Sequence, residues 1–310
     1  MSGKKGNART KPRSKLRAAD IKSEIAYLVM LAPFFVLFFI FFVLPVLSSA
    51  VLSLFHYDTI SAPSFVGWEN FLRMFMDDEA FPTVLKNTLF FAIVTGPAGF
   101  VLSFFMAWCI NEFPRGVRTL LSFLFYSPTL AGGGYVFWKI LFSGDSYGYL
   151  NSLLLSFGLI TEPTQWLKDP RYITAIVLIV QLWASLGTSF LANMAGLQNI
   201  SEDMYEAGAI DGIRNRWQDL WYITLPSMKS MLLFSAVMQI AASYSVGAVA
   251  KEMAGYPSVN NTVDTIITHL GEVGTVRYEY GYAAAISVFL FALMALTRFL
   301  IDRLLNAAGR

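Results

Sequence analysis

Residues 206–226 read EAGAIDGIRNRWQDLWYITLP and form the heart of a polar gap, 199–228, between two very apolar runs. Asn199 or Ser201 can cap a helix whose first turn carries Glu202 and Asp203, favourable at the positive helix end. Met204, Ala207 and Gly208 then recur at i, i+3 and i+4, a face whose small side chains allow close backbone approach. Gly212 can supply a turn with positive φ. A second helix follows with Trp217, Leu220 and Trp221 on one face, suited to a bilayer interface or to the ends of neighbouring helices. Pro226 is expected to end that helix and begin the next apolar run. On residues alone this stretch reads equally as a docking platform or as an ordinary interfacial loop.

Outward from the loop, the chain is apolar. Of 310 residues, 55% are hydrophobic and 14% charged, and the mean hydropathy is +0.53. Soluble domains carry about 25% charged residues. A helix needs about 20 mostly apolar residues to cross a bilayer. Six runs qualify: 25–55, 84–111, 118–142, 172–198, 229–250 and 282–304. The expected fold is an all-α polytopic membrane protein with six transmembrane helices. The first run, with Pro33 and Pro45, is overlong for a bilayer crossing and for the ~7–15-residue apolar region of a signal peptide. It is expected to bend or to project.

Charge sets the orientation. The tail 1–24 holds Lys4, Lys5, Arg9, Lys11, Arg13, Lys15, Arg17 and Lys22, a strong cytoplasmic signal. It reads as a disordered topogenic tail rather than a nucleic-acid arm. Alternation then places 112–117 and 199–228 inside and 56–83, 143–171 and 251–281 outside, with both termini cytoplasmic. Residues 25–310 form the membrane domain.

The membrane interior excludes several functions. No ionisable residue falls near the middle of any run; Lys139, Arg298 and Asp302 lie toward the ends, where snorkelling is cheap. Mid-membrane charges mark proton relays and ion sites, so a self-powered proton-coupled carrier is disfavoured, although sodium coupling through neutral oxygens stays open. His56 and His269 lie in outer regions, which leaves an intramembrane hydrolase without its base. The single cysteine, Cys109, forms neither an intramolecular disulfide nor a cysteine metal site, and reads as a small packed residue. Neutral polar residues do occur at depth. Gln181 and Ser185 share one helix face, as do Gln239 and Ser243, with Tyr244 and Ser245 adjacent. They read either as interhelical hydrogen-bonding groups or as a neutral substrate path, with Tyr135, Trp138 and Trp183 as stacking surfaces. Glycines 132–134 read as a kink or a close-packing point.

The loop resembles the EAA loop of binding-protein-dependent ABC importer permeases. Glu206-Ala207-Gly208, Asp211-Gly212 and Ile223-Thr224-Leu225-Pro226 follow the pattern E-A-A-x-x-D-G, about ten residues, I-x-L-P, with Gly208 in place of the second alanine. Further matches are to the carbohydrate-uptake branch: Phe65-Val66-Gly67-Trp68-Glu69-Asn70-Phe71, Asn87-Thr88-Leu89, Arg118-Thr119 with Pro128 and Trp138, Gly148-Tyr149-Leu150-Asn151, and Gly281-Tyr282-Ala283-Ala284-Ala285. Residues 250–258, AKEMAGYPS, depart from the usual T-x-G-G-P.

The resemblance implies a type I importer fold and a transport subunit without catalysis of its own. A second permease and two ABC ATPases would be partners, with ATP and Mg bound by the ATPases and no cofactor in this chain. An extracytoplasmic binding protein would deliver a sugar or oligosaccharide across a bacterial or archaeal plasma membrane. Glu206, Ala207, Gly208, Asp211 and Gly212 would couple to an ATPase: Glu206 through a charge-assisted contact, Ala207 and Gly208 by tight packing, Asp211 and Gly212 by shaping the turn. Alternatives are a permease for a non-sugar solute, a secondary transporter and a membrane scaffold.

Overall fold

The computed structural model describes residues 27–130 and 134–308. The basic tail 1–24 and Gly132 and Gly133 lie outside the described residues, and so do the readings made of them.

The apolar runs become helices. Helix α1 is Tyr27–Leu52. An outer layer of short elements follows: strands β1 (Phe55–His56) and β2 (Ser64–Phe65), then α2 (Glu69–Met76). Helix α3 is Phe81–Asn111, α4 Arg115–Leu130, α5 Tyr135–Leu141, α6 Tyr149–Ser156 and α7 Pro170–Gln198. The polar loop gives α8 (Glu202–Ile210) and α9 (216–227). Helices α10 (Lys229–Tyr244) and α11 (Val246–Ala254) together make one apolar span; α12 is Ile266–Thr275 and α13 Tyr280–Ala308.

Among the described residues, five helices are long and apolar enough to cross a membrane: α1, α3, α7, Lys229–Ala254 and Tyr280–Arg303. Over the third expected span, 118–142, the described residues form α4 and α5, and neither reaches the length required alone.

Helices α3, α7 and α10 pack on one another at the centre, and α4 lies along α7. Three buried clusters run through this bundle. An outer one holds Met74, Phe81, Ile266 and Ile286; a second holds Phe91, Val177, Val246 and Met253; a third, at the loop end, holds Ala107, Phe190, Leu197 and Met228. Lipid tails are as apolar as these side chains, so dispersion and interhelical hydrogen bonds hold the bundle. The first part of helix α1 is exposed, with Phe34, Phe38 and Phe42 stacked in a row, while Leu44–Leu52 packs against α13.

Proline shapes two helices in the same way. Phe39–Val43 is a π turn in which Leu44 N–H donates to Phe39 C=O, just ahead of Pro45. Leu220–Thr224 is another, with Leu225 N–H donating to Leu220 C=O, just ahead of Pro226. The wider turn accommodates a residue that has no N–H to give. Pro226 therefore does not end its helix, contrary to expectation. The chain stays helical to Ser227 and breaks at Met228, whose φ and ψ are −91° and 4°.

Asparagines tie the outer layer together. Asn70 Nδ2 donates to the carbonyls of Ser53 (2.9 Å) and Phe55 (3.0 Å). Asn87 Nδ2 reaches those of Asn261 (2.8 Å) and Asp264 (2.9 Å). Asn151, fully buried, donates to Ser143, Asp145 and Thr164 carbonyls and accepts from Thr164 N–H and Trp166 Nε1.

Candidate functional site: the 199–228 loop and the core of the bundle

Helix α8 starts where the sequence placed it. Ser201 is the cap, its Oγ accepting from Asp203 N–H at 3.3 Å, while Asn199 closes α7. Gly212 takes φ +95°, the left-handed geometry the turn requires. Asn215 caps α9, accepting from Gln218 N–H at 2.9 Å.

The helix is seated on its own chain through one face. Tyr205 Oη meets Thr224 Oγ1 at 3.0 Å. Gly208 is buried, and a Cβ there would lie 2.6 Å from Ile223 Cδ1 and 3.1 Å from Ile213 Cδ1. The small residue thus admits the π turn of α9 rather than facing outward with Ala207, which corrects the shared face read from the spacing. Met204, Glu206, Ala207, Ile210 and Asp211 are exposed, Ile210 at 86%.

The face expected of α9 also divides. Leu220 is buried, whereas Trp217 and Trp221 are exposed, because the π turn rotates the helix register after Asp219. Trp217 meets Trp108 of α3 with ring centroids 5.5 Å apart. Beside it Arg216 forms a bidentate ion pair with Glu112, at the end of α3. These contacts link the loop to the first half of the bundle.

The deep polar residues fall into two groups. Gln239 is buried where α3, α7 and α10 meet: Nε2 donates to Thr95 C=O (3.3 Å) and Ser185 Oγ (3.0 Å), and Oε1 accepts from Ser189 (3.2 Å). Gly99 gives Gln239 its room, since a Cβ there would overlap Nε2 and lie 2.7 Å from Cδ. Gln181 Nε2 donates to Ala242 C=O at 2.7 Å, Ser243 Oγ to Ile240 C=O at 2.8 Å, and Tyr244 Oη pairs with Thr297 at 2.7 Å. Gln239, Ser243 and Tyr244 also reach the edge of a mainly apolar cavity of about 530 Å³ between α3, α10 and α13. Tyr135 and Trp138 belong elsewhere, packed on the second buried cluster. Trp138 lies parallel to Phe142 at 5.9 Å and edge-on to Trp183 at 5.6 Å. Its Nε1 is buried and has no hydrogen-bond partner.

The sequence reading missed a network on the outer side. His269, fully buried on α12, places Nε2 2.8 Å from Asp78 Oδ2 and Nδ1 3.3 Å from Tyr256 Oη. Tyr282 also donates to Asp78, at 2.5 Å. Burial pushes the Asp78 carboxyl upward, but the hydrogen bonds from Tyr282 and His269 outweigh it and hold the group below the usual carboxylate range. Asp78 and His269 are 191 residues apart, so neither residue's local sequence points to the other. Among the described residues no cluster of histidine, cysteine and acid side chains has metal-binding geometry.

Comparison with known proteins places this helical bundle within a class of transport protein. The family described as binding-protein-dependent transport system inner membrane component matches residues 99–308. The chain belongs to that family. It is 32% identical over 247 residues to a probable ABC transporter permease protein, YesP, of Bacillus subtilis (strain 168), covering 79% of this chain and 76% of that one. It is 27% identical to the lactose transport system permease protein LacF of Rhizobium radiobacter, covering 88% and 91%. Among solved structures it resembles a chain of a bacterial ABC transporter involved in the import of the acidic polysaccharide alginate. There the TM-score is 0.76 at 23% identity, with 94% of this chain and 99% of that one covered.

Proposed function

We propose that this chain is a transmembrane subunit of an ATP-driven importer for a sugar or oligosaccharide. It forms the translocation path with a second permease, and six spans with both termini cytoplasmic complete its topology. An extracytoplasmic binding protein delivers the solute, and two partner ATPases bind and hydrolyse ATP with Mg; the chain itself catalyses nothing. The observation that carries the reading is α8, seated through Tyr205 and Gly208 on its own chain while Met204, Glu206, Ala207, Ile210 and Asp211 are exposed.

In this role Glu206 makes a charge-assisted contact with a basic ATPase residue. Ala207 lets the partner approach, Gly208 fixes the helix to α9, and Asp211 with Gly212 sets the turn that follows. The path-lining roles of Gln181, Ser185, Gln239, Ser243 and Tyr244 compete with their roles as interhelical ties. Tyr135 and Trp138 offer aromatic surface of the kind that sugars stack on. Neutral cargo fits an uncharged membrane centre; relatives include permease proteins named for lactose and arabinooligosaccharides. A charged cargo is the second reading, since another relative is named for sn-glycerol-3-phosphate transport.

The test is a mild-detergent pull-down of the tagged chain from native membranes, read by mass spectrometry, with Glu206→Lys alongside. The wild type should recover an ATPase, a second permease and a solute-binding protein. The variant should insert normally and uncouple ATP hydrolysis from uptake. Reproducible recovery of the folded chain alone, or normal uptake by Glu206→Lys, would refute the coupling role.

A further inference from the structure

A polar cavity of about 460 Å³ lies behind α8, between the α3–α4 turn and the loop. Its charges are segregated. Arg115 and Arg118 come from the start of α4, while Glu202 and Asp219 come from the loop side. Glu112 and Arg216 also line it but neutralise each other as the bidentate pair. Arg118 donates to Asn111 Oδ1 at 3.3 Å, and among the described residues none of Arg115, Arg118, Glu202 and Asp219 forms an ion pair. The cavity thus offers two cations from α4 and two carboxylates from the loop helices α8 and α9, none of them in an ion pair among the described residues.

Its surroundings are those of a membrane surface. It sits at the loop ends of α3 and α7, two of the helices long enough to span. Phe113, Val117 and Leu120 are exposed beside Arg115 and Arg118, and Trp217, Trp221 and Tyr222 are exposed on the loop side. Aromatic side chains favour the headgroup level, and basic pockets between spanning helices on the cytoplasmic side take lipid phosphates. A purely anionic headgroup would satisfy the arginines and leave two carboxylates facing it.

We propose that this cavity binds the headgroup of an aminophospholipid of the cytoplasmic leaflet, with phosphate on Arg115 and Arg118 and ammonium between Glu202 and Asp219. The acyl chains run along the exposed side of α4. The ammonium donates hydrogen bonds to the carboxylates, which a trimethylated headgroup is unable to do. The lipid would then brace α8 and α9 against the α3–α4 turn. The proposal rests on the membrane-permease reading, and its test is independent of partner recovery.

The test is native mass spectrometry of the purified full-length chain titrated with phosphatidylethanolamine, phosphatidylcholine or phosphatidylglycerol of matched acyl chains. Phosphatidylethanolamine should be retained at least tenfold more strongly than phosphatidylcholine, and more strongly than phosphatidylglycerol. Arg115→Gln/Arg118→Gln should weaken retention of all three lipids at least tenfold, since each carries the phosphate. Glu202→Gln/Asp219→Asn should instead abolish the preference for the ethanolamine over the choline lipid and shift selectivity toward phosphatidylglycerol. Equal retention of the ethanolamine and choline lipids by the wild type would overturn the proposal without need of any variant. Preference for phosphatidylglycerol, or displacement of bound lipid by inorganic phosphate as readily as by phosphoethanolamine, would make the cavity a simple anion site and overturn it equally. Loss of the preference with an ATPase and a second permease still recovered would refute the cavity's role and leave the importer reading standing.

Discussion

Gly99→Ala should be among the most damaging single-methyl additions in this chain. The new Cβ would overlap Gln239 Nε2 and lie 2.7 Å from Cδ and 3.2 Å from Ser185 Oγ. Gln239 has little room to yield, being 1% exposed and bonded to Thr95, Ser185 and Ser189. Interhelical hydrogen bonds in membranes average about 0.6 kcal/mol, so losing three costs about 2 kcal/mol. Overpacking adds about 1–3 kcal/mol, and replacing glycine within a helix returns about 1 kcal/mol. The net loss is about 2–4 kcal/mol. Gln239→Ala loses the same bonds but leaves space beside Gly99. In the double variant the Gly99→Ala methyl enters that space and the shared bonds are lost only once, so its cost should fall below the sum of the singles by about 3–5 kcal/mol. The assay is reversible unfolding in mixed micelles, followed by tryptophan fluorescence. Additive losses, or a Gly99→Ala protein as stable as wild type, would refute the packing argument. If uptake kinetics are unchanged in a folded Gln239→Ala protein, Gln239 is a tie between helices and not part of the path.

Three further outcomes follow from the same geometry. Gly208→Ala should cost no more than about 1 kcal/mol, because the obstructing atoms are the mobile ends of Ile223 and Ile213 and the helix gains propensity; Gly208→Leu should lift α8 and uncouple uptake, and wild-type uptake by it would disprove the seating. Glu112→Arg should loosen α9 by up to about 1 kcal/mol, as expected of an exposed pair, and adding Arg216→Glu should restore wild-type protease resistance of the loop; a double variant as labile as the single would count against the pair. Because the folded Asp78 carboxyl titrates below its unfolded value of about 3.9, its stabilisation is present above that pH and is lost as pH falls through the lower folded value; Asp78→Asn should therefore be less stable at neutral pH and show a flatter acid limb in pH-dependent unfolding, and an unchanged limb would contradict the assignment.

The apolar spans were legible because their signal is long. The expected starts at 84, 172 and 282 correspond to helices beginning at Phe81, Pro170 and Tyr280, a few residues of capping that hydropathy does not see. The Ser201 cap and Gly212 turn were legible because both depend on a single residue's local chemistry. Readings that assumed regular helix failed. A strict 3.6-residue period put Trp217, Leu220 and Trp221 on one face, but the π turn ahead of Pro226 sends Leu220 inward and leaves both tryptophans outside. The outward face read for Gly208 failed although its helix is regular, because what decides its side is Ile223, fifteen residues on. Pairings such as Asp78 with His269 leave no periodic trace, since only the folded chain brings them together.

The resemblance motifs acquire a physical meaning from what their polar atoms touch. Asn70, Asn87 and Asn151 direct their amide hydrogens to main-chain carbonyls and not to side chains. A tie of that kind fixes the path of a loop while leaving its side chains open to change. Thr88 does likewise, accepting from Ile266 N–H at 2.9 Å to hold the start of α12 on α3. These asparagine and threonine ties therefore run through backbone, beside the Asp78–His269–Tyr282 side-chain network, whereas α8 is fastened by the Tyr205–Thr224 hydroxyl pair, the Gly208 contact and a Ser227–Met204 contact. Each fastening suits a different requirement. Outer loops that must hold their shape gain most from ties indifferent to neighbouring side chains. In the coupling role proposed for it, α8 would take load from a partner and so would need a small, stiff footing on the bundle and a free opposite face. Broadening that footing would hide Glu206 and Ala207; removing it would leave a push on α8 with nothing to bear against.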